Sequence, residues 1–291
     1  MAAKTYSEEL VYTSSEDGFL LEGVAIRPPG AELHPVGVIW IHGNAGRFYD
    51  YPYVAVGRAM AAAGYLFISA NTRGHDIATM LWRGASGQPA PWQGPQAMPT
   101  GGGSAWERLE EAPRDLAAWV DLAASLGRQS IVLAGHSSGA QRVVLYQAER
   151  QDPRVAGLVL ASPDLRGFIP PGELEAAQRL IAEGHELEVT PAQPFAPWYR
   201  QSAQTVVDKA AITSHLLQTD EGAPTIAAIR CPMLAFFGTS ERGGAATLAT
   251  IRQNATTARI DSEAIEGADH VYSGHESGVA EVIARWVAHL V

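Results

Sequence analysis

The sequence predicts an α/β protein built on a mostly parallel sheet with helices packed on both faces. Three observations predict it. Short, almost continuously apolar runs at 36–41, 66–70 and 131–134 have the composition of strands buried on both sides. They alternate with Ala-rich or amphipathic stretches long enough to be helices. The chain has 291 residues, 46% hydrophobic and 18% charged, enough for one large domain with a substantial core or a domain carrying an insertion.

In order, two strand-like segments open the chain at 9–13 and 20–27, with Asp17-Gly18 between them as a hairpin signal. A buried strand at 36–41 follows, then an Ala-rich helix at 53–63, a strand at 66–70, and a helix at 115–126 with apolar residues at helical spacing. The strand 131–134 leads into a helix that begins after Ser137, and the strand 155–161 comes next. Beyond a long interruption the pattern resumes: strand 233–237, helix 245–254, strand 259–265 and a last helix around 279–290. There is no internal repeat.

Two stretches break the alternation. Residues 77–106 are rich in glycine and proline and carry Trp82, Trp92 and Trp106, so they read as a long loop whose tryptophans need something to pack on. Residues 164–229 contain a helix at 173–183, with Phe168, Phe195, Trp198 and Tyr199 around it among prolines. A parallel crossover needs only a dozen or more residues, so this stretch reads as a largely helical cap inserted in a core formed by 1–163 and 230–291. The seven aromatics either line an apolar substrate pocket or form the small cores of the two insertions.

Composition excludes several classes. The formal net charge of −10 argues against nucleic acid or an anionic membrane as partner, because phosphate binding needs a basic face. The one cysteine, Cys231, forms no internal disulfide, and its Cys-Pro-Met-Leu-Ala-Phe-Phe setting is a buried strand start. No apolar run reaches membrane-spanning length and the first residues lack a signal-peptide core, so the expected compartment is the cytoplasm. A homo-oligomer is compatible with this composition, which does not fix the oligomeric state.

The strand at 131–134 ends in Gly135-His136-Ser137-Ser138-Gly139 and restarts as a helix. A strand that breaks at Gly-x-Ser-x-Gly is a nucleophile elbow: the turn has no room for side chains two residues either side of the serine, and it lifts Oγ above the sheet edge. A serine hydroxyl needs a base to take its proton and an acid to orient that base. Of nine histidines, His270 stands in the turn after strand 259–265, where chain order places the base; His42 and His75 also follow strand ends, and His275 precedes the last helix. Glu241 is the one carboxylate in the turn after strand 233–237, and Asp164, after strand 155–161, competes with it as the acid. Asp269, next to the histidine, should point away. The N–H of Ser138 supplies one oxyanion donor, and the turn His42-Gly43-Asn44-Ala45-Gly46 supplies a second, with Asn44 ahead of Ala45.

With these motifs in order, the chain from Val36 onward resembles the α/β-hydrolase superfamily. The matching segments are His42-Gly43-Asn44, Asn71-Thr72-Arg73-Gly74-His75, the elbow, Gly238–Glu241 and Gly267–His270. The family more often carries aspartate at the acid turn, where this chain has Glu241. A serine at the elbow is similar to esterases, lipases, lactonases, thioesterases, peptidases and carbon–carbon bond hydrolases. It differs from haloalkane dehalogenases and epoxide hydrolases, which place aspartate there. The elbow through Gln141 has a faint similarity to siderophore-ester hydrolases. The resemblance implies an α/β-hydrolase fold and a serine hydrolase acting on a small-molecule acyl substrate, an ester first and an amide, lactone or carbon–carbon bond in second place, with no metal and no cofactor. A ligand-binding protein on the same fold, without hydrolysis, is the alternative of a different class.

Overall fold

The computed structural model describes residues 6–30, 34–84, 98–191, 199–220, 222–256 and 259–290. The N-terminal hairpin forms as predicted from β1 (Ser7–Ser14) and β2 (Leu20–Arg27), turning at Asp17-Gly18. Next come β3 (Val36–Ile41), α1 (Tyr51–Ala62) and β4 (Leu66–Ala70). Successive residues of β3 face opposite sides of the sheet, as a pleated strand requires. Val36, Val38 and Trp40 join one buried cluster, whereas Ile39 and Ile41 join another. Both faces are therefore covered, which is why the run has no polar position.

The stretch 77–106 is not simply a loop. Its ends pair as a two-stranded antiparallel ladder, β5 (Thr79–Arg83) against β6 (Met98–Gly102), with Trp82 opposite Pro99. Residues 85–97 between them, Trp92 included, lie outside the described residues. The chain then runs through α2 (Ala112–Ser125), β7 (Ser130–His136), α3 (Gly139–Arg150) and β8 (Val155–Ala161). Residues 164–229 contribute α4 (Glu173–Ala182), starting where predicted, and a second helix, α5 (Ala203–Leu216), which the sequence pattern did not reveal. These two helices bury a small core of their own around Ala177, Tyr199, Ala203 and Val206. Last come β9 (Met233–Gly238), α6 (Gly244–Asn254), β10 (Ile260–Ile265) and α7 (Glu276–Val287).

Eight strands form the main sheet in the order β1-β2-β4-β3-β7-β8-β9-β10; β1 and β2 run antiparallel to their neighbours and the other six are mutually parallel. α1 and α7 pack against one face and α2, α3 and α6 against the other. Strand order reverses between β3 and β7, because the chain leaves β3 for β4 on one side and returns to β7 on the other. In open α/β sheets such a switch point leaves a crevice at the carboxyl ends of the strands. The Asn44 turn and the Ser137 elbow lie on its two sides.

Arg73, in the turn after β4, ties this edge together. It is 4% exposed and bridges Asp115 of α2 at 2.7 Å, Asp17 of the β1–β2 hairpin at 2.8 Å and Glu111 at 2.9 Å. Among the described residues, no helix is long and apolar enough to cross a membrane.

Candidate active site

The end of β7 turns so tightly that its glycines touch backbone. A Cβ on Gly135 would stand 2.4 Å from the Gly139 carbonyl oxygen, and one on Gly139 would stand 2.5 Å from that of Ile41. No side chain fits either place. Ser137 itself has φ of +53°, the left-handed region that a non-glycine residue rarely occupies. Its N–H donates to Ala161 of β8 at 2.9 Å, and its carbonyl accepts from Asp164 N–H at 3.1 Å and Ala140 N–H at 3.1 Å. The neighbouring strand thus holds the strained turn in place.

The turns after β9 and β10 are laced to each other. Ser240 N–H donates to the Ala268 carbonyl at 3.0 Å, and the Thr239 hydroxyl accepts from Gly267 N–H at 2.8 Å. This lacing sets Glu241 beside His270. His270 Nδ1 meets Glu241 Oε2 at 2.6 Å, and His270 Nε2 meets Ser137 Oγ at 3.1 Å. Because a carboxylate only accepts, Nδ1 carries the hydrogen and Nε2 is left free to accept from the Ser137 hydroxyl. Burial pushes the Glu241 carboxyl up in pKa, but hydrogen bonds from His270, Ser162 and Gly238 N–H outweigh it and leave the group below its usual range. The acid therefore stays ionised where the imidazole needs it.

Asp164 does not meet His270. One of its oxygens accepts from Phe168 N–H at 3.0 Å, so it organises the chain leaving β8. Asp269 points away as expected, accepting from the N–H groups of Val271 at 3.1 Å and Ser273 at 2.9 Å. The other strand-end histidines are engaged elsewhere. His42 is fully buried, donates from Nδ1 to the Gly43 carbonyl at 2.7 Å and accepts at Nε2 from Thr72 N–H at 3.1 Å. His75 faces Asp76 at 2.8 Å, and His275 faces the Ser273 carbonyl at 3.0 Å.

Several supporting residues were not singled out from sequence. Ser162, the first residue after β8, donates its hydroxyl to Glu241 Oε1. Its own oxygen accepts from Tyr272 Oη at 2.5 Å, since the single Ser162 proton is already committed to the carboxylate. Tyr272 and Ser162 both take positive φ, +62° and +43°, to reach these positions. The elbow's His136 is also engaged with the site. Its Nε2–H donates to the His270 carbonyl at 2.7 Å, and its Nδ1 accepts from Tyr53 Oη at 3.0 Å. Tyr53 in turn accepts from Gly43 N–H at 3.3 Å, so one chain of bonds joins the base turn, the elbow and the Asn44 turn. The sequence signal for Ser162 was its strand-end position, which had drawn attention to Asp164 instead. Tyr53 and Tyr272 carried no signal beyond being aromatic.

Asn44 and Ser138 flank the elbow opening. Among the described residues, neither backbone N–H has a hydrogen-bond partner, as two donors held for a ligand oxygen would require. Arg142 of α3 braces them from beneath. It donates to the His42 carbonyl at 3.1 Å and grips Glu107 with two bonds of 2.6 Å. Both partners are nine-tenths or more buried.

A pocket of about 370 Å³ opens beside Ser137 and His270. Of the aromatics expected there, Phe168 and Tyr199 line it. Trp82 and Trp106 do not. Trp82 lies in the β5–β6 ladder, and the Trp106 indole N–H is committed to the Leu187 carbonyl at 3.0 Å, fastening the first insertion to the second. Trp92, Phe195 and Trp198 lie outside the described residues. No cluster of three or more metal-ligating side chains occurs among the described residues.

The elbow at a switch point, with a histidine and a carboxylate on the last two strand ends, defines the α/β-hydrolase class of fold. Sequence comparison agrees. The profile of the alpha/beta hydrolase family matches residues 38–285, and the chain belongs to that family. No protein with a curated description matches the sequence. Among solved structures the chain is similar to Est1E from Butyrivibrio proteoclasticus with ferulic acid bound, at 20% identity and TM-score 0.66, over 96% of this chain and 99% of that one. It is similar to DcsB in complex with its substrate analogue, at 16% identity and TM-score 0.71, over 98% and 99%. It is also similar to naproxen esterase (carboxylesterase NP) from Bacillus subtilis, at 15% identity and TM-score 0.55, over 97% and 92%. At these identities the likeness is one of fold.

Proposed function

We propose that this protein is a serine hydrolase that cleaves a carboxylic ester, or a related acyl compound, through an acyl-enzyme on Ser137. The carrying observation is His270, placed between the Ser137 hydroxyl at 3.1 Å and the Glu241 carboxylate at 2.6 Å. Ser137 Oγ attacks the acyl carbon as its proton passes to His270 Nε2, and Glu241 stabilises the imidazolium that results. The N–H groups of Asn44 and Ser138 receive the oxyanion. Collapse of the tetrahedral intermediate expels the alcohol, which takes the proton from His270. A water molecule, deprotonated by the same nitrogen, then attacks the acyl carbon and releases Ser137. The reading calls on no metal or cofactor.

Phe168 and Tyr199 in the pocket support a bulky or aromatic substrate, and two similar solved structures are a named carboxylesterase and a protein with ferulic acid bound. Residues 164–229 act in this reading as the cap, since Phe168, Tyr199 and Lys209 of this stretch line the pocket and α4 and α5 share a core of their own. The test is incubation with a fluorophosphonate followed by intact-mass measurement. One adduct is expected on the wild-type protein and none on Ser137→Ala. Absence of any adduct, or the same adduct on the variant, overturns the proposal. Turnover of a panel of 4-nitrophenyl esters, lactones and aminoacyl amides then ranks the acyl classes.

A further inference from the structure

Lys209, on α5, is a cation facing the pocket, and among the described residues it forms no ion pair. It is 7% exposed, and it lines both the pocket beside Ser137 and a smaller one whose walls include Asn44, Glu107, Ser138 and Arg142. An ammonium group has three donors. The one hydrogen bond it makes among the described residues is a long one, 3.4 Å to the Phe168 carbonyl, and the Tyr199 ring lies 5.5 Å away. No described carboxylate comes within ion-pair distance. Of the nearby acids, Asp164 holds Phe168 N–H with one oxygen, and both Glu107 oxygens are taken by Arg142. Residues 192–198, which precede α5, contain no acidic residue.

Lysines are almost never this buried unless paired, because a charge taken out of water loses its hydration, and partners must offset that loss. Burial accordingly pushes the Lys209 pKa below its ordinary value, with the Asp164 and Glu107 charges opposing the shift. A second group in the same wall is also unsatisfied. The Tyr199 hydroxyl, on a residue 3% exposed that lines the same pocket, has no hydrogen-bond partner among the described residues. An ammonium with donors to spare and a phenol without a partner, beside the proposed nucleophile, are together suited to take an oxygen anion from a ligand.

We propose that Lys209 receives a carboxylate of the substrate, so that the esters preferred at Ser137 are those carrying a free carboxyl group elsewhere in the molecule. The inference rests on Ser137 being the nucleophile and adds the substrate class.

Two arms of substrates locate the carboxylate. Methylumbelliferyl monoesters of the straight-chain diacids from succinate to suberate, each against the uncharged ester of equal chain length, place it on the acyl side. 4-Acetoxybenzoate against its methyl ester places it on the alcohol side. In wild-type protein one arm shows kcat/KM higher for the acid by about tenfold or more, mainly through KM, as a buried charge-assisted hydrogen bond implies. In Lys209→Met the ratio falls to one or below, and in Lys209→Arg part of it returns. Should Lys209→Met fail to fold, Lys209→Gln carries the same comparison. Absence of an acid preference in both arms, or a preference that survives removal of the ammonium, overturns the proposal. If neutral esters are turned over in a Ser137-dependent way without acid preference, the Lys209 inference alone fails. If no ester is turned over and no fluorophosphonate adduct forms, the reading of Ser137 fails with it.

Discussion

His270 can take a proton at Nε2 only while Nδ1 keeps its own, and Glu241 enforces this by presenting an acceptor with no hydrogen to give. Glu241 Oε1 is already held by the Ser162 hydroxyl and the Gly238 N–H at 2.8 Å. In Glu241→Gln the amide oxygen goes to those two donors, so the amide N–H₂ faces His270 and favours the wrong tautomer. The expected loss in kcat is about 10⁴-fold, and Ser137→Ala or His270→Ala should lose about 10⁶-fold, measured on one aryl ester. Tyr272→Phe is gentler. It removes one donor to Ser162 and keeps the ring, so kcat should fall about three- to tenfold while KM holds. An unchanged kcat in Tyr272→Phe would mean that Ser162 positions Glu241 unaided.

Among the elements, α3 carries both the end of the elbow and Arg142, whose pair with Glu107 braces the turn after β3. Removing one member of a buried pair strands the other charge. Glu107→Ala should therefore cost about 3–5 kcal/mol in denaturant unfolding, and Glu107→Leu combined with Arg142→Met should recover most of it. A double variant as unstable as the single one would show that the brace matters through its bond to His42 rather than through its charge. The strands of the main sheet were legible because they are apolar at nearly every position, which only burial on both faces explains; four of them begin and end where the sequence places them. Helix α5 was not legible. Its buried residues are Ala203, Thr205, Val206, Lys209, Thr213 and Leu216, and three of those six are polar. A helix that turns a lysine toward a ligand pocket loses the apolar stripe by which helices are recognised. The β5–β6 ladder hid for another reason: Pro99 and Gly101-Gly102 mark turns, and a two-stranded edge tolerates proline where a central strand does not. At the site itself, Ser137, His270 and Glu241 could be placed because each follows a strand end. Tyr53, Tyr272 and Lys209 could not, because their parts depend on neighbours far away in sequence.

The molecule as a whole keeps two imidazoles neutral in its interior, and that makes its stability depend on pH in a defined window. Burial, helped by the neighbouring His270, pushes His136 down to about 4, and burial pushes His42 well below its ordinary value. In the unfolded chain both titrate near ~6.5. As pH falls from about 6.5 toward 4, the unfolded state takes up protons that the folded state refuses, so stability drops through that interval. For His136 the difference amounts to roughly 3 kcal/mol by pH 4, and His42 adds to it. Asp152 acts lower down. Burial opposes ionisation of Asp152, but hydrogen bonds from Arg154 and Tyr146 prevail and hold it at about 2, so its contribution is lost only below the usual carboxylate range. Urea unfolding at pH 7, 5.5 and 4.5 separates the two effects, with a clear loss of unfolding free energy expected already at 5.5 and a larger one at 4.5. A flat profile from 7 to 4.5 would mean that these imidazoles do not stay neutral in the fold. The same protonation bears on the site. A charged His136 cannot accept the Tyr53 hydroxyl, so in molecules still folded the bonds from His270 through the elbow to Gly43 open at that link as the pH approaches 4. Activity per folded molecule, measured beside the folded fraction at each pH, should therefore fall as the pH approaches 4.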